Sequence, residues 1–373
     1  MRGSRTDQWR WVERVDWPIV GITALLCLIG VVNLAAASSG PTEGLYLSQA
    51  VWTAVGFVAC GLVAVVRTQF LRRWAYVLFG GAVALLLAVL AVGTELNGAR
   101  RWLDVGPFMV QPSELLKLAV VLASARYFAD RPSDVRGLRE LAAPFALVAA
   151  GVVPILLQPD LGTAVVVVAV FATMVAREGI DRRAALALVA AAALAIPAGW
   201  TWGMRDYQRD RVRSYLGLET DRYGASWQVR QSEIAVGSGQ LWGKGFGEGT
   251  QVQRGFVPEH ENDFAAARWA EEQGFAGMIL LVVLFAVFIL RALAIGRRAD
   301  DEFGSHVAVG CAAIVFWHVV FNLGMVTGLS PVAGLTLPFI SYGGSSLVAM
   351  LIVVGLLLNI EARRRDSFGD RRS

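Results

Sequence analysis

Residues 18–37 read PIVGITALLCLIGVVNLAAA, a run without a single charged side chain. A helix rises about 1.5 Å per residue, so a bilayer core of about 30 Å takes roughly 20 apolar residues to cross. This run has the length of one span. Outward from it, comparable runs recur at 47–66, 74–92, 113–128, 142–157, 161–176, 184–202, 264–295, 307–326 and 342–360, which makes ten. The fifth and sixth are short and meet at Gln158-Pro159-Asp160. The eighth is too long for one crossing. Its apolar part starts near Phe275, behind an amphipathic lead-in at 263–273. Composition agrees: of 373 residues 55% are hydrophobic and 17% charged, against about 25% charged in soluble domains. Mean hydropathy is +0.53. These values exclude a disordered chain and argue against an ordinary soluble enzyme. The expected fold is an all-helical polytopic membrane protein of about ten transmembrane helices, one membrane domain over 1–373.

Lys and Arg number 34 against 30 Asp and Glu, a net charge of +4. So small a surplus does not point to nucleic acid; the placement of the charges is more informative. Basic residues gather in alternate connections: Arg2, Arg5, Arg10 and Arg14; Arg67, Arg72 and Arg73; Arg126, Arg131, Arg136 and Arg139; Arg177, Arg182 and Arg183; Arg291, Arg297 and Arg298; and Arg363 to Arg365 with Arg371 and Arg372. Among the short connections of the other set, only 93–112 carries any, Arg100 and Arg101. The positive-inside rule then puts both termini in the cytoplasm. The basic start and Ala35-Ala36-Ala37 also fit a cleaved signal peptide, but the apolar stretch is longer than a usual signal core, and an uncleaved first helix is expected. The one long loop, 203–263, falls outside. Its amphipathic stretches 210–218 and 227–241 predict short helices lying on the outer membrane surface.

Cys27, Cys60 and Cys311 all lie in apolar runs, with no C-x-x-C pair. His260, His306 and His318 are too scattered to suggest metal ligands. Ionisable residues in or beside spans are costly in a bilayer and are functional candidates by default. Glu114 and Lys117, three apart behind Pro112, share one helix face; they read as a capped helix with a local ion pair or as the charged wall of a cavity, with Arg100 and Arg101 above it as anion donors. Asp160 reads as a helix N-cap, or as a carboxylate holding a cation such as Lys117. Gly243-Lys244-Gly245 suggests a phosphate loop but fails it: a P-loop needs G-x-x-x-x-G-K-[ST], whereas Ser238 and Gly245 stand at the two decisive positions. Asp263 ends the long loop among Glu259, His260 and Glu261, either as an N-cap or as a general base at an outer mouth. Ser341-Tyr342-Gly343-Gly344-Ser345-Ser346 offers backbone N–H groups at a helix start, an anion seat or simply a tight turn.

Taken in order, these segments resemble the SEDS family, and within it the RodA branch. The resemblance is carried by GARRWL (98–103), QPSE (111–114), QPDLGT (158–163), DYQRDR (206–211), QSEIAVGSG (231–239), GKG with GTQ (243–251), PEHENDF (258–264), EEQG (271–274), NLGMVTG (322–328) and the stretch 331–345. It covers nearly the whole chain and is specific as a set. It implies a ten-helix membrane glycosyltransferase that polymerises lipid II, partnered by a class B penicillin-binding protein and other elongation-complex membrane proteins. The family's essential loop aspartate corresponds to Asp263, and its buried charges to Glu114, Lys117 and Asp160. This chain departs from the family beside that aspartate: Glu261-Asn262 replace His-Thr, and Ala265-Ala266-Ala267 follow Phe264 in place of Ile-Phe-Ala.

In the reaction so implied, a sugar hydroxyl attacks an anomeric carbon and polyprenyl diphosphate leaves. Asp263 is the expected base. Arg100, Arg101, Asp160, Lys244, Ser341, Gly343 and Gly344 are the expected substrate contacts. Glu114 and Asp160 either hold Lys117 charged and oriented or bind a divalent cation such as Mg2+; no other cofactor is called for. A lipid flippase and a non-catalytic scaffold of the wall-building complex are the competing classes.

Overall fold

The computed structural model describes residues 15–36, 44–96, 99–106, 108–133, 135–204, 206–218, 224–257 and 259–363. The basic clusters at 2–14 and 364–372, part of the orientation argument, lie outside the described residues. The chain begins with α1 (Trp17–Ala35), α2 (Leu45–Val65) and α3 (Thr68–Val92). After a small sheet come α4 (Pro112–Asp130), α5 (Leu138–Leu157), α6 (Leu161–Arg177) and α7 (Arg182–Ala198). The long loop holds α8 (Asp206–Tyr215), α9 (Ala225–Ser238) and α10 (Thr250–Gln253), so the short helices expected there are present. The chain ends with α11 (Ala265–Arg298), α12 (Glu302–Val326) and α13 (Gly344–Ala362).

All ten apolar runs fall on helices. Among the described residues eight helices are long and apolar enough to cross a membrane. The other two are α6, a shorter 17-residue apolar helix, and α4, which carries Glu114, Lys117, Arg126 and Asp130. Capping fixes several ends. Asp16 accepts from Ile19 N at 3.1 Å, and Asp301 from Gly304 N at 2.9 Å; each satisfies a donor that the first turn of a helix leaves unpaired. Asp16 also takes Arg291 at 2.5 Å, tying the start of α1 to the end of α11.

The helical class holds, with one small addition that the sequence did not show. Between α3 and α4 the backbone forms β1 (Thr94–Leu96), β2 (Ala99–Val105) and β3 (Phe108–Val110), an antiparallel sheet in that order. Glu95 pairs with Arg100 and Leu103 with Val110. Two of the strands have three residues, and the seven of β2 read ARRWLDV without alternation, so the sequence carries little strand signal here. Backbone pairing decides them, because a connection folded against the ends of spans has to satisfy its own N–H and C=O groups.

Helices α12 and α13 form the centre: their apolar windows are 61% and 72% buried, against 17% for α2 and 22% for α3. Helix α4 is buried along most of its length beside them. The outer helices expose Val51, Val58, Leu62, Leu87 and Val189, side chains suited to lipid. Helix α11 is continuous except at Gly274, whose φ of 66° and ψ of −166° break the helical path. The amide groups freed there bond to the long loop, Phe275 N to Gln240 O at 2.8 Å and Ala276 N to Leu241 O at 3.0 Å. The break separates the amphipathic lead-in from the apolar part where the sequence placed that boundary.

Candidate active site

Pro112 sits in the first turn of α4 and Gln111 at its N-cap, which places Glu114 and Lys117 one turn apart on a buried face. Lys117 is 2% exposed. Its Nζ lies 2.8 Å from Glu114 Oε1 and 2.7 Å from His318 Nε2. An ammonium can be buried only if it is paired and hydrogen-bonded, and here it has both kinds of partner. Glu114 Oε2 is buried without a hydrogen-bond partner among the described residues.

Asp160 caps α6. Its carboxylate accepts from Thr163 N at 3.2 Å and Thr163 Oγ1 at 2.9 Å, with Gln111 Nε2 at 3.5 Å. Of its two expected roles the N-cap is the one observed; the cation paired with it is Arg101, 3.9 Å away, in place of Lys117. Arg101 also donates to the carbonyls of Gln158 at 3.0 Å and Pro159 at 2.5 Å. The reason is geometric: α5 and α6 meet at a proline, and the carbonyls they leave open face β2.

Asp263 enters through a different route. The extended segment between α12 and α13 crosses the site, and Gly162 lets it approach, since a Cβ there would stand 2.1 Å from Ala333 O. The same segment brings Gly334 against Asp263, where an added Cβ would be 3.6 Å from Oδ2. Asn322, fully buried on α12, donates to Asp263 O at 2.9 Å and to Leu335 O at 2.6 Å. One turn earlier on the same face, His318 Nδ1 lies 3.1 Å from Thr336 O. A single face of α12 thus fastens the loop aspartate and the segment that touches it, and reaches Lys117.

The Asp263 side chain is half-buried. Burial pushes its carboxyl up to about 6; Glu259, Asp160 and Glu261 add to the rise, and Arg211 opposes it. Arg211 approaches from α8, donating to Val332 O at 3.3 Å. Beside it, burial pushes the His260 imidazole down against the pull of Glu261. A carboxylate with a raised pKa in a partly closed, charge-lined place is suited to taking and releasing a proton near neutrality.

The remaining candidates sit in supporting positions. Lys244 pairs with Glu271 at 2.6 Å and Thr250 Oγ1 at 2.7 Å. Glu271, fully buried, also accepts from Gln251 N at 2.9 Å, so this ion pair fastens the long loop to α11. Arg100 faces Glu95 at 3.4 Å on the exposed sheet. Ser341 Oγ donates to Asn262 O at 2.6 Å and accepts from Leu337 N at 2.8 Å. Gly343 and Gly344 open α13, where a Cβ on Gly344 would stand 2.3 Å from the Trp52 ring. Among the described residues no group of three His, Cys, Asp or Glu side chains is placed to hold a metal ion. Glu114 Oε1 already pairs with the Lys117 ammonium, and the Asp160 oxygens bond to Thr163.

The sequence model of the FtsW, RodA and SpoVE proteins, described as "Cell cycle protein", matches residues 15–366. The chain belongs to the FtsW/RodA/SpoVE family. Peptidoglycan glycosyltransferase MrdB of Escherichia coli (strain K12) is 37% identical over 347 residues, covering 92% of this chain and 94% of that protein. Stage V sporulation protein E of Bacillus subtilis (strain 168) is 36% identical over 360 residues, 94% of this chain and 98% of its own. Among solved structures, a chain of a peptidoglycan synthase complex that coordinates polymerization and crosslinking superposes with a TM-score of 0.81 at 33% identity, covering 94% of this chain and 99% of that one. The rod shape determining protein RodA of Thermus thermophilus gives 0.71 at 32% identity, with 94% and 98% covered.

Within this family member, sequence reasoning missed three residues that the fold brings to the site. His318 was weighed only as a metal ligand, although a polar side chain inside an apolar run was itself a signal. Asn322 and His318, four apart, share a helix face, which spacing could have flagged. Arg211 lies in a quoted motif but had no visible connection to Asp263.

Proposed function

We propose that this chain is a peptidoglycan glycosyltransferase that polymerises lipid II in a bacterial cytoplasmic membrane, with its active site facing outward, in cell-wall elongation and cell-shape maintenance. The observation that carries the reading is Asp263: a half-buried carboxyl raised to about 6, fastened through Asn322 to the same helix face that reaches the buried Lys117.

The 4-hydroxyl of N-acetylglucosamine on one lipid-linked disaccharide attacks the anomeric carbon of N-acetylmuramic acid on another. Asp263 takes the hydroxyl proton, the new glycosidic bond forms with inversion, and the bond to the polyprenyl diphosphate breaks. Negative charge builds on the leaving diphosphate. Fixed positive charge from Lys117, with Arg100 and Arg101 at the rim and the N–H groups of Gly343 and Gly344, favours that departure. Ser341 and Lys244 serve better as fasteners of the loop than as substrate contacts, given the internal bonds each makes. A divalent cation such as Mg2+ is expected to arrive on the substrate diphosphate rather than on Glu114 and Asp160. The likeness to a chain of a peptidoglycan synthase complex supports a class B penicillin-binding protein as partner.

Purified protein supplied with lipid II in detergent tests the reading. Glycan strands are the expected product; a flippase or a scaffold would make none. Asp263→Asn should lower the rate by about 10²–10⁴-fold while leaving the protein folded and bound to its partner. Polymer at the unmutated rate removes Asp263 as the base.

A further inference from the structure

His318 belongs to no step of the mechanism above, yet it is 1% exposed in the middle of a membrane helix and touches the buried cation. Its two ring nitrogens face partners of opposite kind. Thr336 O, 3.1 Å from Nδ1, is a carbonyl and can only accept, so Nδ1 carries the hydrogen. Nε2, 2.7 Å from Lys117 Nζ, is then the lone-pair nitrogen and accepts from the ammonium. A second proton on the ring would set N–H against N–H at that distance. The carbonyl therefore fixes the imidazole as an acceptor towards Lys117, whose Nζ is held between this nitrogen and Glu114 Oε1.

The anchor point gives this arrangement its consequence. Thr336 is two residues from Gly334, which packs against the Asp263 carboxylate. Asn322, one turn beyond His318, bonds both Asp263 O and Leu335 O. The geometry points to His318 as the positioning residue that sets the location of Lys117 relative to Asp263, through the segment 334–336. This rests on the proposed polymerase reading for its catalytic meaning, and on the hydrogen bonds alone for its structural one.

Two variants test it. His318→Leu keeps apolar bulk but removes both hydrogen bonds. His318→Gln supplies an N–H for Thr336 O and an oxygen for Lys117, the same donor and acceptor pattern. The expected result is a loss of kcat of about tenfold or more in His318→Leu with KM for lipid II within about twofold, and recovery to within about threefold in His318→Gln. A variant that misfolds is recognised by thermal unfolding in detergent. In the same measurement His318→Leu should lower Tm more in the parent than in a Lys117→Met background, where only the bond to Thr336 O is lost. Unchanged kcat in His318→Leu overturns the inference, as does equal loss in both variants or an equal Tm shift in both backgrounds. If the parent protein makes no glycan, the polymerase reading fails by itself, and the Tm cycle still decides whether His318 and Lys117 are coupled.

Discussion

Asp263 and Lys117 show how differently two charged side chains are kept in one membrane protein. Lys117 is closed in, paired with Glu114 and hydrogen-bonded to His318. Asp263 is left half-open among other carboxylates, and its pKa rises to about 6. The sign of the pH dependence follows. Below about 6 the carboxyl is protonated and cannot accept a proton; above it the base form is present. The rate of polymerisation should therefore climb about tenfold per unit of pH below 6 and level off above it, whereas an ordinary aspartate, near 3.9, would leave the rate flat from 5 to 7. A pH–rate profile of glycan formation at subsaturating lipid II reads this directly, and a flat profile between 5 and 7 contradicts the assignment.

Among the elements, α11 shows most clearly that one residue can shape a helix. A run of 34 residues is bent at Gly274 so that its first part docks the long loop and its second continues as a span. A side chain at that φ and ψ is strained, and its Cβ would stand 2.2 Å from Gly243 N. Gly274→Ala should cost about 1–3 kcal/mol or more and release the bonds from Phe275 and Ala276 to Gln240 and Leu241. A lowered Tm in detergent, with faster proteolysis in 239–254 than in the rest of the long loop, is the expected outcome; an unchanged Tm would show that the break is not required. The position of this break was legible in the sequence, since amphipathic and apolar patterns meet there. The sheet between α3 and α4 was not: β1 and β3 have three residues each, and the seven of β2, ARRWLDV, do not alternate apolar with polar, so pairing fixes them.

For the whole molecule the open question of orientation has a simple test. Cys27, Cys60 and Cys311 are buried, so a single introduced cysteine is the main reactive thiol. The positive-inside reading predicts that Leu218, 70% exposed in the long loop, and Asp300, exposed between α11 and α12, lie on opposite sides of the membrane. In intact cells an impermeant maleimide should label Leu218→Cys and spare Asp300→Cys until the membrane is opened. The reverse pattern would invert the topology and place Asp263 away from an outward-facing substrate.

Hydropathy along the chain was enough to locate the ten helical runs, the break in the eighth and the costly charges, because the hydrocarbon slab imposes a length and a penalty that act locally. Partnership was decided only in three dimensions. Asp160 turned to Arg101 instead of Lys117, and Lys117 met His318 from 201 residues away. Lys244 went to Glu271. Hydropathy is a property of each segment, whereas a buried charge takes whichever hydrogen-bond partner the packing of distant helices delivers to it.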